Sequence, residues 1–135
     1  MNCEFEKYRR KFSFANKYRL NKDSAKFAAA IVIPSCAERE YLPETLISIG
    51  KNDKTLLKKT CVIVVLNHPR DSNDSAKYID NNRQTLSFLQ SFSDSDAALN
   101  IFFATDPDGS YDLSLDYGVG EARKIGMDLA LQILD

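Results

Sequence analysis

The 135-residue sequence is 44% hydrophobic and 27% charged with a formal charge of −1, an ordinary globular composition for one domain that buries roughly two thirds of its unfolded surface. The near-neutral total hides an asymmetry, because residues 1–26 hold eight Lys/Arg against three Asp/Glu while the remainder holds ten against sixteen. The longest apolar run, the eight residues from Phe27 to Pro34, is far short of the roughly 18 that span a bilayer, and the widely spaced Cys3, Cys36 and Cys61 fit neither a disulfide framework nor a paired zinc pattern.

Met1 is followed by Asn-Cys-Glu-Phe-Glu-Lys instead of a basic start and an apolar core, so no secretory leader is read and the cytoplasm is the expected compartment. Residues 1–26 form a basic leader, expected to be helical, in which Phe5, Tyr8 and Phe12 share one face. Its cations are scattered around the helix, which favours aromatics packed on the body over a surface for anionic lipid. Peripheral membrane contact through residues 1–26 is the alternative reading, and no nucleic-acid partner is expected.

Ala30-Ile31-Val32-Ile33 reads as a strand expected to stop at Pro34, which has no N–H to give a central ladder. After the loop Ser35-Cys36-Ala37-Glu38, Pro43 suits a first helical turn, Leu42, Leu46 and Ile49 repeat at helical spacing, and Gly50 suits the stop. Lys51 to Lys59 reads as a polar connection. Cys61 to Leu66 is continuously apolar and β-branched, the pattern of a strand covered on both faces. Asn67 to Asp74 is dense in turn formers and reads as a loop, with His68 a bystander on the rim. A helix is expected over Lys77 to Phe92, ended by Ser93-Asp94-Ser95-Asp96, then a third strand from Leu99 to Thr105. Asp106-Pro107-Asp108-Gly109 has the chemistry of a reverse turn, which outweighs its literal Asp-x-Asp spacing as a cation site. A polar loop, Ser110 to Tyr117, precedes a final helix over Gly118 to Leu134. The βαβαβ alternation predicts an α/β layered sandwich with a mainly parallel sheet, and ligands of such sheets sit at the carboxyl ends of the strands.

Three stretches in order, IVIPSCAEREYLPETLISI, VIVVLNHPRDS and GVGEARKIGMDLAL, resemble the N-terminal half of glycosyltransferase family 2 over roughly residues 29–134. The resemblance implies a Rossmann-like GT-A fold and a parent enzyme that moves a sugar from a nucleotide diphosphate sugar, UDP-sugar favoured, to an acceptor hydroxyl with inversion. It places nucleotide-binding roles on Pro34, Ser35, Cys36, Glu38, Asn67 and Arg123: backbone groups of the first three against base and ribose, the Glu38 carboxylate on ribose hydroxyls, the Asn67 amide on a pyrimidine edge, and Arg123 on base or phosphate. Cys36 and Ala37 stand where the family has an aromatic and an Asn, and Leu66-Asn67 where it has an acidic pair. The family's metal-binding Asp-x-Asp and its acceptor half have no counterpart, so a truncated chain is expected that binds nucleotide but holds neither catalytic residues nor the magnesium or manganese of the parent. Truncation also implies exposed apolar surface and self-association. A small non-catalytic α/β binding or regulatory module is the rival reading. A dinucleotide oxidoreductase fits less well, since Gly118-Val119-Gly120 does not follow the first strand.

Overall fold

The computed structural model describes residues 3–14, 17–94 and 99–135. In chain order the elements are α1 (Cys3–Lys11), β1 (Arg19–Leu20), β2 (Ala29–Ser35), α2 (Leu42–Gly50), α3 (Lys54–Lys58), β3 (Thr60–Pro69), α4 (Ser75–Asp94), β4 (Asn100–Thr105), β5 (Leu113–Leu115) and α5 (Val119–Ile133). They build an α/β fold on a five-stranded, mostly parallel sheet of order β1-β4-β3-β2, with β5 paired to β3 beyond the end of β4. Among the described residues only β1 runs antiparallel to its neighbour.

The β-branched run of β3 explains its central place. Cys61, Ile63 and Val65 face α5 in one core cluster, while Val62, Val64 and Leu66 face Leu42 and Leu46 of α2 and Leu89 of α4 in another. Alternate residues of one strand therefore feed two cores, which is why the run shows no polar alternation. Helices on both faces complete the layering.

Several expectations are corrected. The first strand does not stop at Pro34 but continues to Ser35, with Pro34 in register with Val65. Among the described residues β2 is ladder-bonded on one flank only, and such an edge strand tolerates a residue without an N–H. The second strand runs on past Leu66 to Pro69, because β5 pairs with Asn67, His68 and Pro69. The polar loop of residues 110–117 thus contains a strand whose Leu113 and Leu115 are buried. The Lys51–Lys59 connection contains α3, started by Asp53, whose carboxylate accepts from the N–H groups of Thr55 and Leu56. The third helix extends two residues further at each end than expected, while Ser95 and Asp96 of the expected break lie outside the described residues.

The leader is joined to the body. Arg19 and Leu20 pair with Thr105 and Ala104 of β4, and Phe14, Tyr18 and Leu20 pack on the core. Tyr8 is half-buried, whereas Phe12 is 60% exposed, and the Phe5 side chain lies outside the described residues. The N–H of Phe14 and the hydroxyl of Tyr8 donate to Asp128 of α5, and Lys124 meets the same carboxylate at 2.6 Å. No helix among the described residues is long and apolar enough to cross a membrane.

Candidate functional site

The parallel pairing of β2 and β3 brings their carboxyl ends together, with Ser35 opposite Leu66. The chain leaves β2 through Cys36 and Ala37, and α5 begins nearby at Gly118, whose φ of 68° and ψ of −140° suit glycine alone. A cleft of about 170 Å³ results, lined by Pro34, Cys36, Glu38, Asn67, Pro69, Gly118 and Val119. Four of the six expected residues, Pro34, Cys36, Glu38 and Asn67, therefore share one cavity. Ser35 lies buried behind it and lines a different hollow with Leu42 and Thr45. Arg123 is exposed one turn further along α5 and lines a separate groove with Met127 and Leu131, so it is not gathered with the other four.

Hydrogen bonds limit what each group offers a ligand. The Asn67 amide nitrogen donates to the carbonyls of Val65 (3.0 Å) and Ser35 (3.4 Å), locking the two strand ends together. Turning the amide over would set its oxygen against two carbonyls, so the donor is fixed inward and only the oxygen remains for a ligand. Asn67 thus does not present donor and acceptor together, as the sequence had suggested. Cys36 is half-buried, and burial, followed by the charges of Asp112 and Glu38, raises its thiol pKa. A raised pKa keeps the thiol protonated near neutrality, and Cys36 forms part of the cleft wall.

Behind the cleft lies a polar network that the sequence did not announce. Asn82 of α4 accepts from the N–H of Ala37 (3.0 Å) and donates to the carbonyl of Asn67 (2.9 Å) and to Asp112 (3.0 Å). The same Asp112 oxygen meets Nδ1 of His68 at 2.8 Å, which ties His68 into the rim, where it was expected. Ala37, held at φ 55°, is a strained non-glycine residue in the β2–α2 loop. The other Asp112 oxygen and the Ser35 hydroxyl are buried without a partner among the described residues. One signal could have found Asn82: it interrupts the apolar stripe of Tyr78, Thr85, Leu86 and Leu89 at a core-facing position.

Asp106 behaves as the turn chemistry required. Its carboxylate accepts from the N–H groups of Asp108 and Ser110, both at 2.9 Å. No group of three or more His, Cys, Asp or Glu that could hold a metal ion gathers among the described residues.

Comparison with family models, with curated proteins and with solved structures finds no match for this chain.

Proposed function

We propose that the cleft between the β2–α2 loop, the end of β3 and the start of α5 binds a nucleotide. The parent activity in this reading is sugar transfer from a UDP-sugar to an acceptor hydroxyl, on a GT-A-type fold. The observation that carries it is the convergence of Pro34, Cys36, Glu38 and Asn67 in one cavity at the carboxyl ends of two parallel strands.

The chemistry of the cleft suits such a ligand. Pro34 and Pro69 give apolar surface for a flat ring, and the Asn67 oxygen can accept from a pyrimidine N–H. Glu38 accepts from ribose hydroxyls. The N-terminus of α5 has no side-chain cap on its first N–H groups, and that end of a helix attracts phosphate. Arg123, one turn on, supplies a cation to phosphate that extends past Val119. The reaction itself is assigned to no residue of this chain, and no step is routed through a metal.

Titration of UDP into isotopically labelled protein tests the reading. Amide shifts should concentrate at Cys36, Ala37, Glu38, Asn67 and Val119, and Glu38→Ala should weaken binding by about three- to tenfold, the worth of one hydrogen bond. A folded sample with no response at millimolar UDP rules it out.

A further inference from the structure

A second cavity, of about 280 Å³, opens where the chain leaves β3 and β4, and it shares no lining residue with the nucleotide cleft. Segments far apart in sequence supply its polar groups: Lys17 and Tyr18 from the leader, Arg70 after β3 and Asp106 after β4. Pro107 and the buried Leu113 give it an apolar wall.

The charges around this cavity are only partly spent. One Arg70 guanidinium nitrogen donates to the Ser114 carbonyl at 3.1 Å and another stands 3.5 Å from the Asp116 carboxylate, so that cation is already neutralised. The Lys17 ammonium lies over the Phe14 ring at 5.5 Å and meets no carboxylate among the described residues. Asp106 is engaged on one side, where Oδ1 accepts from the N–H groups of Asp108 and Ser110, while its Oδ2 has no partner among the described residues. The Tyr18 hydroxyl likewise makes no hydrogen bond among them. Burial, then the charge of Glu121, outweighs Arg70 and raises the Tyr18 pKa, so the hydroxyl keeps its proton and can donate.

One free positive and one free negative group thus line the same cavity without meeting. A phosphate gains Lys17 but faces Asp106, and a simple amine gains Asp106 but faces Lys17. A molecule that carries both charges satisfies each. We propose that this cavity binds a small zwitterion of the amino-acid class. Its carboxylate meets the Lys17 ammonium and accepts from the Tyr18 hydroxyl, its ammonium donates to Oδ2 of Asp106, and its side chain rests on Pro107 and Leu113. The carboxyl ends of parallel strands are where such sheets hold ligands, and no nucleotide is needed beside this one.

The probe is L-valine, titrated to about 20 mM into the isotopically labelled full chain beside two single-charge analogues: isobutylamine, which lacks the carboxylate, and isovalerate, which lacks the amine. Valine should shift the amides of Tyr18, Arg70, Asp106 and Leu113, and each analogue should bind about tenfold more weakly, the worth of one charged contact. Lys17→Gln should erase the advantage of valine over isobutylamine, and Asp106→Asn its advantage over isovalerate, a crossed pattern that damage to the fold does not produce. Asn keeps the Oδ1 that holds the turn, and Lys17 is exposed, so both variants should unfold at the temperature of the unsubstituted chain. The absence of any shift with valine overturns the proposal, as does equal binding of the three probes. So does a valine preference that survives either substitution. Shifts confined to Cys36, Asn67 and Val119 overturn it as well, because valine would then occupy the nucleotide cleft.

Discussion

Asn82 holds the walls of the cleft from behind, through the Ala37 N–H and the Asn67 carbonyl. It is 1% exposed and bonds to three segments at once: the β2–α2 loop, the end of β3 and Asp112. Asn82→Ala removes the acceptor from the Ala37 amide and a donor from both the Asn67 carbonyl and the Asp112 carboxylate, which keeps His68, and should lower stability by about 2–4 kcal/mol in urea denaturation. It should also broaden the amide signals of residues 36–38. Ala37→Gly should act in the opposite direction. Relief of a left-handed alanine, worth about 1–2 kcal/mol, exceeds the added freedom of glycine in the unfolded chain, about 0.4–1 kcal/mol. A gain of about 0.5–1 kcal/mol in the same assay is expected, and a loss would mean the loop is not strained. At this scale the sequence was only partly legible. Pro34 and Glu38 stood out because they lie at or just past the carboxyl end of an apolar run, but Asn82 reaches partners 15, 30 and 45 residues away, and no local pattern encodes such reach.

Helix α5 shows how one element serves both the core and the leader. Its inner face approaches the sheet so closely that a Cβ on Gly126 would lie 2.3 Å from a methyl of Val32 and 3.0 Å from one of Val65. Gly126→Ala should therefore cost about 1–3 kcal/mol despite its better helix propensity, with Val32→Ala in the same chain recovering part of the loss. The flank of α5 carries Asp128, whose side chain is 2% exposed beside the 38% exposed Lys124. Burial alone would raise the Asp128 pKa, but hydrogen bonds from Lys124, Tyr8 and the Phe14 N–H outweigh it and hold the group below the ordinary 3.8. Burial likewise opposes the Lys124 charge, and hydrogen bonds to Asp128 and Tyr8 reverse this, leaving its pKa above 10.5. The stabilisation from Asp128 is thus fully present above about pH 4 and lost as pH falls through its lowered folded value. That from Lys124 is intact below about pH 10.5 and lost as pH rises through its raised one. Tyr8 ring signals should report the leader docked across the intervening range and released in acid, and Asp128→Asn should remove the acid-side transition. Long, periodic elements such as α5 and β3 were legible in the sequence. The two-residue β1 and three-residue β5 were not, since so few residues carry no period and exist through pairing with distant strands.

For the whole molecule, the alternation of apolar runs and helical stripes was enough to anticipate a parallel sheet covered on both faces, because each feature follows from burial on a local period. What it did not reveal is how the leader is bound. Composition divided the chain near residue 26 by charge, yet the structure crosses that line through the pairing of β1 with β4 and the convergence of Tyr8, Phe14 and Lys124 on Asp128. These contacts make the leader a structural brace, and they lie along α5 beyond its first turn, away from the cleft at Gly118 and Val119. Deletion of residues 1–14 should separate the two roles. It leaves the Asp128 carboxylate with Lys124 alone and uncovers core previously packed by Phe14, at a cost of about 2–4 kcal/mol, or roughly 10 °C in melting temperature for a chain of this size. The sheet retains β1, so the shortened chain should still unfold cooperatively by calorimetry, and its response to UDP at Cys36, Glu38 and Asn67 should match that of the full chain. Loss of that response from a shortened chain that remains folded would place the leader within the site, because the brace would then be setting the position of α5's first turn.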